Sequence, residues 1–218
     1  GADGLHSLVR KQLGLAVESA GRHRYGARAH FDIGTDLDFV EVHVVPGAEL
    51  YVTPVGRGVV NVAVLCERRM TREFGGDLLA GVLGLIRTSD RVSELIGAAE
   101  PFTTPTLCGP LRQRARSSVA PGAVLVGDAA GFVDAITGEG MSLTLLSAEI
   151  AADVLAAGLQ RGRLTERDLQ PYERRRRRKA RDLTRLTEVI LWGIRQEGLA
   201  RRVVTSLGRD PELFTRVL

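Results

Sequence analysis

A buried-strand pattern that ends in a glycine-rich turn limits the fold of this chain more than any other feature. The apolar run Ala123-Val124-Leu125-Val126 leads directly into Gly127-Asp128-Ala129-Ala130-Gly131. Such a strand places the Asp128 carboxylate at its carboxyl end, where the sheets of α/β proteins bind ligands. The small residues that follow let a flat or extended ligand approach the backbone. The pattern therefore predicts an α/β fold with a ligand site beside Asp128.

A helix that opens on glycines follows this strand at close range. The segment Thr137-Gly138-Glu139-Gly140-Met141 predicts a helix from about residue 137 or 138 to about residue 159. Free amides and the dipole at a helix start favour negative charge on a bound group. An ionised Asp128 suits a hydroxylated ligand, since such a hydrogen bond contributes about 1.5–3 kcal/mol. The alternative is a tight turn that uses glycine for geometry alone. The spacing of ten residues between Asp128 and Gly138 favours the ligand site.

The first ten residues carry a second candidate element, Gly1-Ala2-Asp3-Gly4-Leu5-His6-Ser7-Leu8-Val9-Arg10. Apolar residues at helical spacing predict a helix over residues 5–13, with Asp3 and Gly4 at a strand-to-helix junction. Taken alone, Asp3 is best interpreted as a helix cap. Its pairing with the Gly127-Asp128 element favours a shared ligand site instead.

Together these elements carry a family resemblance. Residues 1–10 resemble the GADGxxSxVR motif of flavoprotein hydroxylases of the p-hydroxybenzoate hydroxylase type, and residues 127–130 resemble their GDAA element. The stretch 127–141 is similar to the GDAAGxxxPxTGEG motif of the geranylgeranyl reductase branch of that superfamily. Two residues depart from these patterns: Gly131 stands where hydroxylases usually place His, and Ala135 stands where both branches usually place Pro.

The resemblance implies that the ligand is FAD. Asp128 would accept a hydrogen bond from the ribityl chain, and the helix near Gly138 would point its amides at the pyrimidine edge of the isoalloxazine. Asp3 and Gly4 would lie near the pyrophosphate and ribityl region, with Arg10 supporting that corner. The cofactor-binding residues implied in this way are Asp3, Gly4, Arg10, Gly127, Asp128, Ala129, Gly138, Glu139, Gly140 and Met141. No catalytic side chain is assigned.

Between the two motifs the sequence predicts an antiparallel sheet. Strand-like stretches at residues 25–33, 39–45, 49–55 and 59–65 are joined by connections too short for parallel crossovers. A helical region over residues 74–96 follows. The resemblance implies that this sheet covers a substrate pocket, for which Tyr51, Thr53 and Pro54 are the candidate lining residues.

The expected architecture is a mixed α/β (α+β) fold of the p-hydroxybenzoate hydroxylase type that lacks its N-terminal βαβ unit. Residues 1–20 and 106–160 would form portions of the FAD-binding domain, 21–105 a substrate-binding β-sheet domain, and 161–218 a C-terminal helical region. These enzymes open with a βαβ unit bearing GxGxxG, which cradles the ADP half of FAD, and no GxGxxG follows a strand in this chain. We therefore expect the chain by itself to bind FAD poorly and not to turn over.

Three functions follow from these observations. The leading prediction is an NAD(P)H-dependent FAD monooxygenase, a hydroxylase of a small organic molecule. The second is an FAD-dependent reductase of prenyl double bonds, as in the geranylgeranyl reductases. The third is a non-catalytic remnant or interaction protein that uses its arginine run as a contact. Oxygen consumption would separate the first two.

Composition bears on partners and location. We count no apolar run near the roughly 20 residues that span a bilayer, so no stable membrane insertion is expected. Cys66 and Cys108 form no CxxC pair, which favours a reduced, cytoplasmic protein. The four histidines show no metal-ligand spacing. Six consecutive basic residues, 174–179, wrap around a predicted helix without interleaved aromatics, which favours a solvated segment over a nucleic-acid or anionic-lipid contact.

Overall fold

The computed structural model describes residues 1–18, 23–74, 76–194 and 196. Its largest sheet has five antiparallel strands in the order β3-β4-β5-β2-β6. The predicted antiparallel pairing is confirmed, with strand limits within two residues of those expected. The expectation of a simple meander is wrong, because the first of the four predicted strands pairs with the fourth and not with the second. The strands are β2 (Arg24–Asp32), β3 (Glu41–Val45), β4 (Ala48–Gly56), β5 (Val59–Glu67) and β6 (Thr106–Cys108).

One face of this sheet is covered by helices. Alternate residues of β2, β4 and β5 are fully buried, such as Phe31, Leu50 and Val62, because successive side chains of a strand point to opposite faces. They pack against α3 and α4 in a single apolar cluster. The covering helices are α2 (Arg68–Glu73), α3 (Leu78–Ile86) and α4 (Asp90–Ile96).

The predicted single helical region over residues 74–96 is wrong in one respect: it contains a break. Helix α3 ends before Arg87, and the Ser89 side chain accepts a hydrogen bond from the Val92 amide to cap α4. Serine at an N-cap satisfies amides that have no intrahelical partner, so a new helix starts there.

The opposite face of the sheet carries small and polar side chains and is called the open face below. It turns toward residues 131–139, as shown by a bond from the Tyr51 hydroxyl to the Ile136 carbonyl at 3.5 Å. The residues of the open face include Gly26, Arg28, His30, Tyr51, Thr53, Asn61 and Ala63.

A second group of elements holds the two sequence motifs. Its apolar core is built from residues such as Leu125, Ile150, Leu169 and Tyr172. The elements are α1 (Leu8–Gln12), the pair β1 (Ala16–Val17) and β7 (Arg114–Ala115), the pair β8 (Val119–Ala120) and β9 (Ala123–Val124), a 3-10 turn (Gly127–Ala130), α5 (Gly140–Gln160) and α6 (Glu166–Ile194).

The predicted strand over residues 123–126 is only partly a sheet strand. Strand β9 pairs with β8 over two residues. Beyond it the backbone stays paired with the first residue: Gly1 donates to the Val124 carbonyl at 2.7 Å and accepts from the Val126 amide at 2.8 Å. This pairing brings the first motif beside the second.

The expectation that no segment is apolar enough to span a bilayer is wrong for α5. By length and composition alone, this helix of 21 residues passes that test, with a mean hydropathy of 1.5 over its most apolar stretch. Its many Ala and Leu residues outweigh Glu149 and Asp153. The core helix of a soluble protein passes the same test, and α5 packs against α6 through residues that include Ile150 and Ala151.

Helix α6 confirms part of the helical region expected after residue 165, and the rest of that region lies outside the described residues. The basic run 174–179 is not evenly solvated. Arg176 is buried, whereas Arg174, Arg175, Arg177, Arg178 and Lys179 are exposed.

Candidate functional site

Arg10 joins the two sequence motifs. Its guanidinium is almost fully buried. One terminal nitrogen donates to the carbonyls of Asp128, at 3.1 Å, and Ala129, at 2.9 Å. The other donates to the Leu5 carbonyl at 2.7 Å and to Gln113 Oε1 at 3.0 Å. Arg10 therefore fixes the backbone of the turn that presents Asp128, and its expected role beside a cofactor stays a prediction.

Asp128 presents an unpaired carboxylate. Its side chain is half-buried, and no described residue donates a hydrogen bond to it. Burial raises the pKa of this carboxyl above its ordinary value. A partly buried carboxylate without a donor is unfavourable, and a hydroxylated ligand would supply the missing donor.

The turn before Asp128 depends on glycine. Gly127 has φ 63°, a conformation that costs other residues about 1–2 kcal/mol. A Cβ at this position would also lie 3.0 Å from Thr144 Cγ2 on α5. Gly127 thus lets the turn adopt its shape while α5 packs closely against it.

The start of α5 is open. Its first backbone bond runs from the Leu143 amide to the Glu139 carbonyl at 3.0 Å, and no described residue accepts from the amides of Gly140 and Met141. Met141 is 79% exposed. No atom lies within 4 Å of the place where Gly138 would carry a Cβ. These amides can therefore face a ligand without obstruction by side chains.

Asp3 is engaged within its own helix. Its carboxylate accepts hydrogen bonds from the Ser7 hydroxyl at 2.6 Å and from the amides of Leu8, at 2.7 Å, and Val9, at 3.1 Å. The Ser7 bond is the main reason why the pKa of Asp3 falls to about 2. Asp3 therefore pairs with the first two amides of α1, whose N-cap residue is Ser7, and a contact between the Asp3 side chain and a cofactor stays a prediction. Gly4 has φ 76°, and no atom lies within 4 Å of the place where it would carry a Cβ.

A buried ion cluster that was not recognisable from the sequence lies beside the site. Arg24 Nη1 lies 3.2 Å from Asp134 Oδ1, and Arg24 Nη2 pairs with Glu49 Oε2. All three residues are buried. Burial raises the pKa of Asp134, and Arg24 opposes that effect. The cluster joins β2 and β4 to the segment between Asp128 and α5. No local pattern could reveal it, because the three residues are distant in sequence.

Only one of the three candidate substrate residues lies against this segment. Tyr51 reaches the Ile136 carbonyl, and burial raises the pKa of its hydroxyl. Thr53 and Pro54 lie farther along β4, opposite Asn61 and Val60 of β5. For all three residues, contact with a substrate stays a prediction. Within the described ranges, no group of three or more His, Cys, Asp or Glu side chains could hold a metal ion.

Sequence comparison places the chain near one kind of reductase. No family model matches it. A digeranylgeranylglycerophospholipid reductase of Methanothermobacter thermautotrophicus is 28% identical over 99% of this chain and 56% of its own length. One from Methanopyrus kandleri is 26% identical over 80% of this chain and 45% of its own. The chain spans about half the length of the curated relatives it matches.

Structural comparison gives the fold. A flavin-dependent brominase aligns with a TM-score of 0.75 and 17% identity, over 95% of this chain and 56% of its own. A probable FAD-dependent monooxygenase from Pseudomonas aeruginosa aligns with a TM-score of 0.69 and 23% identity, over 89% of this chain and 55% of its own.

The chain has the fold of the FAD-dependent oxidoreductases of the p-hydroxybenzoate hydroxylase and geranylgeranyl reductase superfamily. The fold expected from the two motifs is thereby confirmed.

The residues around Asp128 fit FAD. The unpaired carboxylate suits a polyol, whose hydroxyls are donors. The open amides at the start of α5 suit an electron-rich ring edge. The glycine at 138 leaves the backbone accessible. The site therefore provides a match for the ribityl chain and ring edge of a flavin.

Proposed function

We propose that the protein is an FAD-dependent reductase that saturates carbon–carbon double bonds of isoprenoid chains. The observation that carries flavin dependence is the unpaired Asp128 carboxylate between a buried strand and the open start of α5. The choice of reductase is supported by the names of the sequence relatives, which are digeranylgeranylglycerophospholipid reductases.

The leading prediction of a monooxygenase is not confirmed. Gly131 stands where the hydroxylases usually place His, and this residue favours the reductase branch. Similarity to solved structures at these identities supports the fold and does not choose between the two reactions. Hydroxylation therefore remains the alternative reaction, and the assay below is designed to distinguish it from double-bond reduction.

The residues of this chain would bind and orient the cofactor. Asp128 would accept a hydrogen bond from the ribityl chain. The amides at the start of α5 would stabilise negative charge at the ring edge, and Arg10 would hold Asp128 in place. When bound, FAD supplies the redox chemistry, with NAD(P)H as the proposed electron donor. The open face of the sheet would exclude water from the substrate. A small-molecule substrate and a cytoplasmic location remain predictions.

Replacement of Asp128 tests the flavin site. Asp128→Ala removes a charge-assisted acceptor that contributes about 1.5–3 kcal/mol, so FAD affinity should fall about 10- to 150-fold. Affinity is measured by the quenching of flavin fluorescence during titration. Asp38→Ala is the matched control, because Asp38 is exposed and lies far from the motifs in sequence.

Equal affinity of wild type and Asp128→Ala would remove the basis of the proposal. Thermal unfolding without flavin checks that the variant is folded. No loss of stability is expected there, because burial disfavours the ionised carboxylate in the fold.

A second assay separates the two reactions. The protein is supplied with FAD, NAD(P)H and a digeranylgeranylglycerophospholipid in the absence of oxygen. A reductase adds two hydrogen atoms to each double bond that it saturates, which mass spectrometry detects. A product that carries oxygen and forms only in air would establish the monooxygenase instead. Because the chain by itself is expected to bind FAD poorly, the assay is also run with a GxGxxG-bearing βαβ unit joined to it. Absence of both flavin binding and turnover in that protein would favour the non-catalytic interpretation.

A further inference from the structure

A basic cleft lies at the far end of α5, where this helix ends and α6 begins. Its volume is about 620 Å³. At a rise of 1.5 Å per residue, α5 is about 30 Å long. The cleft therefore lies about 30 Å from the start of that helix and from the candidate flavin site. Four arginines and two aspartates contribute the charged side chains: Arg161, Arg163, Arg167, Arg175, Asp153 and Asp168.

The two aspartates leave part of the positive charge unneutralised. Asp168 is committed to the start of α6, where it accepts from the Thr165 amide at 3.0 Å. Its second oxygen lies 3.5 Å from Arg163 Nε. Asp153 lies 3.5 Å from an Arg175 nitrogen, and both side chains are more than half exposed. Four arginines against two carboxylates leave two positive charges in the cleft.

Two of the arginines are free to bind an anion. Among the residues that the structure describes, none forms a hydrogen bond or ion pair with the side chain of Arg161 or Arg167, and both side chains are exposed. Arg161 interacts with Asp168 only at longer range, through its charge. The guanidinium group binds phosphate oxygens through two parallel hydrogen bonds. The free groups in this cleft therefore match phosphate esters.

The basic surface continues from the cleft along α6. Arg167, Pro171 and Arg175 line the cleft at a spacing of four residues, and positions at this spacing share one side of a helix. Arg178 and Lys179 continue the same line by one turn and are exposed. Arg176 points into the core instead, which fixes the orientation of the helix. The cleft and this line of side chains are called the basic surface below.

We propose that the basic surface binds the phosphate headgroups of anionic glycerophospholipids at a membrane surface. Leu159, which is 66% exposed, follows the cleft-lining residue Gly158 and adds an apolar contact for the lipid. The choice of lipid rests on the proposed function, since the relatives are named for glycerophospholipid substrates. The charge and shape of the cleft are independent of the proposed reductase function.

Vesicle flotation tests this proposal without flavin or turnover, so its failure is separate from a failure of the reductase assignment. The protein is mixed with vesicles of phosphatidylcholine alone or of phosphatidylcholine with phosphatidylglycerol. Wild type should float with the second kind only. Each basic residue near an anionic surface strengthens binding about fivefold, so Arg161→Gln with Arg167→Gln should weaken it about 30-fold.

The matched control carries Arg68→Gln and Arg72→Gln, two exposed arginines of α2, and loses the same net charge. It should bind the anionic vesicles like wild type. Equal loss in both double variants would show attraction by net charge alone and overturn the proposal, as would equal flotation with both kinds of vesicle. Saturable binding of inorganic phosphate without flotation would also overturn it, since free phosphate would then be the ligand.

Discussion

At the scale of single residues, the half-buried Asp128 carboxylate links protonation to ligand binding. Burial raises its pKa because the charged form loses water and gains no donor from the described residues. A ligand hydroxyl would stabilise the charged form. Binding and ionisation of this residue should therefore strengthen each other.

Flavin affinity should consequently depend on pH in the acid range. Asp128 accepts a ligand hydrogen bond best when it is ionised, so affinity should be highest above its raised pKa and fall as the pH is lowered through it. The fall should begin above the ordinary aspartate pKa of 3.8. Dissociation constants measured across this range for wild type and Asp128→Asn provide the check. A dependence that survives unchanged in Asp128→Asn would assign it to another group.

Single residues also show how far sequence reasoning reaches. The Gly127-Asp128 pair and the glycines near the start of α5 were recognisable, because strand, turn and helix follow one another locally. Asp3 had two interpretations, and the three hydrogen bonds of its carboxylate show that it pairs with the start of α1. Arg24 was not recognisable, because its partners Glu49 and Asp134 meet it only after the strands have paired.

At the scale of elements, the turn and α5 form one packed unit. Gly127 and Thr144 are in contact range across it, and Thr144 also donates to the Gly140 carbonyl at 2.8 Å. The shape of the turn and the position of the helix start therefore depend on the same few atoms.

Gly127→Ala should destabilise the protein by more than about 1–2 kcal/mol, the backbone strain expected at positive φ. The added methyl group would also press on Thr144 Cγ2 at 3.0 Å. Gly122→Ala isolates the strain, because Gly122 has φ 71° and no atom within 4 Å of its Cβ position. Urea unfolding of both variants measures the difference. Equal losses of unfolding free energy in the two variants would mean that Thr144 moves away from the added methyl group at no energetic cost.

Element prediction succeeded where the pattern was local. Alternation predicted the strands around residues 25–65, and glycines predicted the start of α5 near residue 138, two residues before the observed Gly140. The break between α3 and α4 was missed, because apolar residues continue on both sides of it. Its only marker is a single serine cap at Ser89.

At the scale of the whole molecule, a buried ion pair links the five-stranded sheet to the rest of the described residues. Three apolar clusters are present among them: one between the sheet and α3 and α4, one around Tyr172, and one around Leu125. Arg24 connects the sheet to the segment before α5 through Asp134. Burial makes such a pair sensitive to the loss of one member, because the remaining charge is left without a partner.

Arg24→Met should therefore lower the free energy of unfolding by about 3–5 kcal/mol. Arg91→Met, which removes an exposed ion pair with Glu41, should lower it by less than about 1 kcal/mol. Urea titration of the two variants compares the losses. The loss in Arg24→Met should shrink in acid, as Asp134, whose pKa is raised by burial, becomes protonated. Similar losses in the two variants would contradict the structural role of Arg24.

The contact of the Arg10 guanidinium with the Asp128 turn also has a consequence for sequence variation and for engineering. It holds the carbonyl of Asp128, a residue 118 positions away in the chain, so the orientation of the proposed cofactor ligand depends on a helix that need not touch the cofactor. Substitutions in the first dozen residues can then alter flavin affinity at a distance. Grafting the Gly127–Ala130 turn into another protein would transfer its sequence without its geometry unless an equivalent arginine came with it.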